Sequence, residues 1–372
     1  YYNGDENINL NNNQIFPLTI YLFRKSSVIS ANNISPIYYH EVVENFLDKI
    51  INEPIHFSAI DIEYRFNKGD NGIKKLTIHG ESGELLGIMG ASGTGKTTLM
   101  NILNGTIKPQ KGSILINGHS IYDEHINFQN IIGFVPQDDL LFEDLTVYKN
   151  LFYNAKLCFG KSDDSDIELK VNNVLKDLEL YDVRNLKVGS PLNKYISGGQ
   201  RKRLNIALEL IREPAILLLD EPTSGLSSND AENIIRLLSE QTHNGKFVVI
   251  IIHQPSSNVY KQIDQLLILD VGGYPIYFGK AMEAINYFKR IAGRINSTSY
   301  ECELCGNINP EDILKIIDDK KTDSYGEYLN QRKVEPKEWY QHYTESLGVV
   351  LQKTPKNIAI PKAHFEIASK IK

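Results

Sequence analysis

Cysteine is scarce in this chain, with three among 372 residues. Cys158, Cys302 and Cys305 are too few to build a disulfide framework, and the odd, low count suits a reducing, cytosolic setting. Cys302 and Cys305 form a lone C-x-x-C. A zinc site would need two more Cys or His ligands at characteristic spacing, and none is evident nearby. Long apolar runs are also missing. The longest, such as Phe247 to Ile252, have strand length, well short of the roughly 18–20 residues that cross a bilayer. No secretory signal pattern is present. Excess positive charge is lacking too: the formal net charge is -6, which argues against a nucleic-acid partner. The first residue is Tyr1 rather than Met. The sequence therefore reads as part of a longer protein, about whose membrane helices these residues say nothing.

What is present suits a packed α/β protein. The apolar fraction is 41%, enough for a globular core. Residues 1–54 read as an extension. Asn11 to Asn13 form a polar tract, and "SSVISANNISP" reads as loop. Within the extension, "HEVVENFLDKII" places Val42, Val43, Phe46, Leu47, Ile50 and Ile51 on one helical face, as in an amphipathic helix docked on the domain or, alternatively, one that lies on a membrane surface or binds a partner. From residue 55 the pattern changes. "HFSAIDIEYRF" alternates like a strand, and "AILLLD" and "FVVIII" are continuous apolar runs, as in parallel strands buried on both faces. "TTLMNIL", "RKRLNIALELI" and "AENIIRLLSE" read as helices. Strands alternating with helices imply a doubly wound sheet. Residues 138–204 read as an inserted helical subdomain of a domain spanning 55–318. Beyond it, 319–372 loses periodicity and reads as a linker.

Gly90-Ala91-Ser92-Gly93-Thr94-Gly95-Lys96-Thr97 fits G-x-x-x-x-G-K-[ST], between the strand "LLGIM" and the helix "TLMNIL". Glycines let successive backbone N–H groups point at phosphate oxygens, and the helix N-terminus adds partial positive charge. Lys96 would reach the β- and γ-phosphates, and the Thr97 hydroxyl would ligate Mg²⁺. Thr98 follows in the same turn. The strand Ile216 to Leu219 ends in Asp220 and Glu221. Acids are costly on a buried strand, so a pair at its C-terminal end marks a site. Asp220 suits Mg²⁺, and Glu221 suits the general base that activates water. Gln137 and His253 end two other apolar strands, where they could reach the same nucleotide. Ser197-Gly198-Gly199-Gln200 opens a helix and forms a second anion-binding cap. One nucleotide already has a phosphate loop, so a second cap suggests that two copies of the domain share each ATP.

The order of the phosphate loop, "PQ", "SGGQ", "LLLDEP" and "IIIH" resembles the ATPase domain of ABC transporters over about 200 residues. The resemblance implies a P-loop NTPase (RecA-like) core with an ABC antiparallel β part and an inserted helical subdomain. It implies ATP and Mg²⁺ as cofactors, with Thr97, Gln137 and Asp220 toward the metal. It places Ser197, Gly198, Gly199 and Gln200 against the ATP held by a second nucleotide-binding domain. An aromatic residue stacks on adenine in this family: Phe66 is the first choice and Tyr64 the second. "ISGGQRKR", "DEPTSGL", "IHQPSS", "LLILDVGGYPIYFG" and "NINPEDIL" are similar to the G subfamily, exporters of lipids, sterols or amphipathic drugs. There, a membrane domain of six helices follows the ATPase domain in the same polypeptide. The ATPase would then work at the cytosolic face of a membrane, and 319–372 would lead toward that membrane domain. "DDLLFEDLTVYKNLFYNAKL" resembles the segment facing it. Two positions depart from the pattern. Ser227 stands where an Asp helps couple the two sites, and Lys149 stands where Glu is common.

Overall fold

The computed structural model describes residues 8–10, 13–23, 27–31, 34–38, 42, 55–66, 71–123, 128, 131–160, 162–190, 193–293, 308–323 and 327–346. Apart from Val42, the amphipathic segment at 40–51 lies outside the described residues, as do Cys302 and Cys305.

Strands β1 (Ile8–Leu10), β2 (Asn13–Ile15), β3 (Val28–Ala31) and β4 (Ile34–Tyr38) form a small antiparallel sheet in the order β2-β1-β3-β4. The stretch "SSVISANNISP", read above as loop, thus contributes two strands. Its apolar residues are spaced for pairing, and Val28 is buried. Next come β5 (His56–Arg65), β6 (Gly72–Glu81), β7 (Leu85–Met89) and α1 (Lys96–Leu103). β8 (Lys111–Ile116) and β9 (His119–Ser120) complete a second antiparallel sheet, β6-β5-β8-β9.

Between β10 (Ile132–Val135) and β11 (Ile216–Leu219) the chain is mainly helical: α2 (Val147–Cys158), α3 (Asp164–Asp177) and α4 (Gly198–Leu210). Then follow α5 (Ser228–His243), β12 (Phe247–Ile251), the short α6 (Ser257–Tyr260), β13 (Gln265–Asp270), β14 (Tyr274–Lys280) and α7 (Ala281–Ile291). The predicted helices at "TTLMNIL", "RKRLNIALELI" and "AENIIRLLSE" are α1, α4 and α5.

The central sheet has the order β10-β11-β12-β7-β13-β14. All its neighbours pair in parallel except β13 with β14. Both faces are covered, which explains the continuous apolar runs. On one face Leu217, Leu219, Val248 and Ile250 pack with the helices. On the other, Ile216, Leu218, Val249 and Ile251 pack against α1 and the second sheet, where Phe57 stacks on Phe247.

The C-terminal part departs from the linker reading. After α8 (Glu311–Ile317) come a hairpin, β15 (Lys320–Thr322) with β16 (Tyr328–Arg332), and a helix, α9 (Pro336–Ser346). Trp339 of α9 is fully buried, edge-on to Phe288 of α7 with ring centroids 5.2 Å apart. One anchoring tryptophan orders a segment whose other residues are mostly polar, so periodicity alone cannot report it. Trp339→Ala should cost about 3–5 kcal/mol, as large-to-small core changes of this size do. A urea denaturation midpoint measured against the parent chain checks this, because an unanchored linker would leave the midpoint unmoved.

Candidate functional site

Parallel pairing brings the C-terminal ends of β10, β11, β12 and β7 to one edge of the sheet. Gln137, Asp220, Glu221, His253 and the Gly90–Thr97 turn follow those four ends, so the topology gathers residues far apart in sequence. The turn requires its glycines. Gly90, Gly93 and Gly95 have φ of 151°, 78° and 97°, where an L side chain is strained. At Gly90 a Cβ would also lie 2.3 Å from the carbonyl oxygen of Leu269. Ala91 accepts a hydrogen bond from the Thr94 hydroxyl at 3.0 Å, while Ser92 and Gly93 are exposed at the tip.

Lys96 is buried at the start of α1, and its Nζ donates to the carbonyls of Gly90 (2.9 Å) and Ala91 (2.8 Å). These bonds use two of its three donors. Burial pushes its pKa down, against the pull of Glu221 and Asp220. Thr97 follows it, with Thr98 in the same turn of helix. Asp220 is buried, and its Oδ1 has no hydrogen-bond partner. Burial pushes its pKa up, and a hydrogen bond with Thr97 pulls the other way. An orphaned carboxylate oxygen beside a hydroxyl fits a hard cation such as Mg²⁺, which takes one or two protein ligands and completes its shell with phosphate and water oxygens. Among the described residues no group of three or more His, Cys, Asp or Glu could hold a metal by itself, so nucleotide phosphates would have to share the ion.

Glu221 adopts φ of 50°, a left-handed conformation costing a non-glycine residue about 1–3 kcal/mol. Both carboxylate oxygens are engaged: Oε1 with His253 Nε2 at 2.5 Å, and Oε2 with the Gln137 side-chain amide at 3.0 Å. Strain at a residue held by two polar partners is a mark of a functional site.

The aromatic pair separates. Tyr64 packs on the core, whereas Phe66 is 48% exposed and meets Tyr64 edge to face at 5.2 Å. Tyr64 pairs across the hairpin with Ile73. A Cβ on Gly95 would lie 2.9 Å from Ile73 Cδ1, so this hairpin end lies over the phosphate loop.

Ser197 and Gln200 make a capping box on α4. The Ser197 hydroxyl accepts from the Gln200 N–H, and the Gln200 side chain accepts from the Ser197 N–H. At Gly199 a Cβ would come 2.6 Å from Asp230 Oδ1, and at Gly198 it would touch Leu226. Ser227 caps α5 in the same way: its hydroxyl accepts from the Asp230 N–H and donates to Asp230 Oδ2 at 2.9 Å.

Three site residues were not evident in the sequence. Arg201 Nε donates to Asp139 Oδ2 at 2.9 Å, its Nη1 donates to the Gly189 carbonyl at 2.6 Å, and Lys202 Nζ donates to the Gln137 carbonyl. "RKR" reads only as a helix start, and nothing in it announces that its first two residues reach back 62 and 65 positions to the Gln137 loop.

These features define an ATPase of the P-loop class with the ABC arrangement of motifs. Residues 73–224 match the family described as ABC transporter. The chain is 36% identical over 302 residues to ABC-type transporter claG of Penicillium crustosum, covering 79% of this chain and 39% of that protein. It is 35% identical over 304 residues to ABC transporter G family member 26 of Arabidopsis thaliana, covering 77% and 43%. Among solved structures it is similar to cbiO1 from Clostridium perfringens, part of the ABC transporter complex cbiONQ, with TM-score 0.55 and 27% identity, covering 64% of this chain and 95% of that one. The chain is similar, over these matches, to the nucleotide-binding domain of G-subfamily ABC transporters. It spans about two fifths of the length of the two relatives named.

Asp220 gives a test independent of nucleotide. Its folded pKa is raised, so its ionisation works against folding. The penalty is absent below the ordinary carboxylate range and grows as pH rises through the raised value. Asp220→Asn should therefore melt higher than the parent chain at about pH 8 without nucleotide, and the difference should shrink away as the pH falls to about 3. Melting curves across that range check both the sign and the window.

Proposed function

We propose that this chain is the motor of a G-type ABC exporter of lipids, sterols or amphipathic molecules, in which ATP draws two such domains together and hydrolysis releases them. The observation that carries this reading is the division of phosphate chemistry between two places. One place is the Gly90–Thr97 turn with Lys96, and the other is the capped start of α4 at Ser197–Gln200. Two copies in head-to-tail, two-fold symmetry would let Ser197 and Gly199 of each close on the γ-phosphate held by the other.

In the closed pair, Gly90 to Thr98 wrap the phosphates and Lys96 turns its remaining donor to them. Thr97 and Asp220, with Gln137, would hold Mg²⁺, which when bound would supply neutralisation of phosphate charge. Glu221 takes the proton of the attacking water. Gln137 orients that water, and His253 bonds the γ-phosphate and keeps the Glu221 side chain in place. Phe66 stacks on the adenine. Retention of Glu221 with both polar partners speaks against a sensor that binds without hydrolysing.

The domain proper is assigned to 55–318, with the helical subdomain at 138–204. Residues 319–372 lead toward a transmembrane domain of the same polypeptide. Among the described residues no helix is long and apolar enough to cross a membrane, so the spanning segments would lie elsewhere in that polypeptide. The domain would sit on the cytosolic face. Leu140, Phe142, Tyr153 and Leu157 are exposed. Asn150 of α2 bonds both the N–H and the carbonyl of Phe142 (2.9 and 3.1 Å), and so joins the loop after Gln137 to the helix bearing the other two. This apolar face suits the membrane domain.

Glu221→Gln should bind ATP while turnover falls about 10²–10⁴-fold, the usual share of general-base catalysis. Lys96→Ala should abolish turnover as well. Sedimentation of Glu221→Gln should show monomer without nucleotide and dimer with Mg²⁺-ATP. A monomer that binds ATP yet never dimerises, even with the membrane half attached, would remove the shared site.

A further inference from the structure

The C-terminal segment from β15 to α9 reaches the nucleotide side of the molecule in two ways. Arg332, at the end of β16, places Nη1 2.8 and 2.9 Å from the two carboxylate oxygens of Asp270, and its other terminal nitrogen pairs with Asp318. Asp270 is buried at the end of β13 and opens the tight turn 270–273: its carboxylate accepts from the Val271 N–H at 2.7 Å, and its carbonyl from the Gly273 N–H. That turn meets the hairpin β5–β6 backbone to backbone. The Gly273 carbonyl accepts from the Lys74 N–H at 2.9 Å, and a Cβ on Gly273 would overlap the carbonyl oxygen of Gly72 at 1.6 Å. The second path is direct. Tyr340 of α9 packs its ring on Tyr274, with centroids 5.6 Å apart, and its hydroxyl donates to the Lys75 carbonyl of β6 at 3.2 Å.

Both paths end on β6, whose residues 72 and 73 pair with Arg65 and Tyr64 just before Phe66. The hairpin end lies over the phosphate loop, yet the loop is not built from it. Fixing β6 therefore fixes where a base would rest, while leaving the phosphate turn to β7 and α1. A turn held by a buried ion pair and two backbone contacts has little freedom to drift, since losing Arg332 would leave the Asp270 carboxylate buried without its partner.

We infer that the described residues 327–346 form a strap that positions the β5–β6 hairpin for the nucleotide base, with Arg332 and Tyr340 as positioning residues. This rests on the reading of the chain as an ATPase in which Phe66 stacks on adenine. The strap acts on the base and not on the triphosphate.

The test is binding of ATP and of inorganic tripolyphosphate, each with Mg²⁺, to the full chain by calorimetry, together with turnover at saturating ATP. Arg332→Gln should weaken ATP about tenfold, the upper range of one aromatic stacking contact. Tripolyphosphate binding and saturated turnover should stay within about twofold of the parent values, and Arg332→Lys should recover part of the loss. Tyr340→Phe removes one hydroxyl and should give the same selective loss at a smaller size, about threefold, which keeps the test open if Arg332→Gln folds poorly. Phe66→Ala should weaken ATP alone, and adding Arg332→Gln to it should cost little more, because the second residue works through the first. Equal weakening of ATP and tripolyphosphate, or no weakening of either by Arg332→Gln and Tyr340→Phe, overturns the strap. If Phe66→Ala is silent while Arg332→Gln weakens ATP selectively, the strap stands and the assignment of adenine to Phe66 falls.

Discussion

Everything chemical in this molecule depends on the parallel pairing of β10, β11, β12 and β7. Strands buried on both faces can be apolar along their whole length only because helices and a second sheet cover them, and parallel pairing points all four carboxyl ends the same way. The consequence is a rim onto which five separate sequence positions deliver a lysine, two acids, an amide and an imidazole. Polar groups are tolerated there because the strands stop. Asp220 marks the limit of that tolerance, with one carboxylate oxygen buried and unpartnered. The site is thus prepared at a cost in stability that a bound cation and phosphates would offset.

Glu221 and Gln137 are held from opposite directions. The strained backbone at Glu221 aims its carboxylate between His253 and the Gln137 amide. The Gln137 carbonyl is taken by Lys202, and Asp139, two residues on, by Arg201. Since Arg201 and Lys202 directly follow the capped start of α4, the loop that touches Glu221 and the start of that helix are parts of one hydrogen-bonded unit.

Much of this was legible in the sequence, for identifiable reasons. The phosphate turn, the acid pair and the polar residues at strand ends are short-range signals: a glycine pattern, or a charge where an apolar run stops. The helices α1, α4 and α5 follow from local apolar spacing. What escaped was set by distant partners. The strands at 28–31 and 34–38 were hidden by the polar residues between them. The elements at 320–346 were hidden because Trp339 and Arg332 find their partners, Phe288 and Asp270, on parts of the chain 51 and 62 residues away. Phe66 and Tyr64 lie too close in sequence to be told apart there, and they differ in the fold by exposure, with Phe66 outward and Tyr64 packed on the core.

The contact between Gly199 and Asp230 limits which side chains this corner can accept. With Asp230 Oδ1 standing 2.6 Å from where a side chain would begin, residue 199 cannot acquire a methyl group while residue 230 keeps its carboxylate in place. Asp230 in turn is held by both hydrogen bonds of Ser227. The three positions therefore constrain one another in this fold: the serine holds the aspartate, and the aspartate fills the space that a side chain at residue 199 would need.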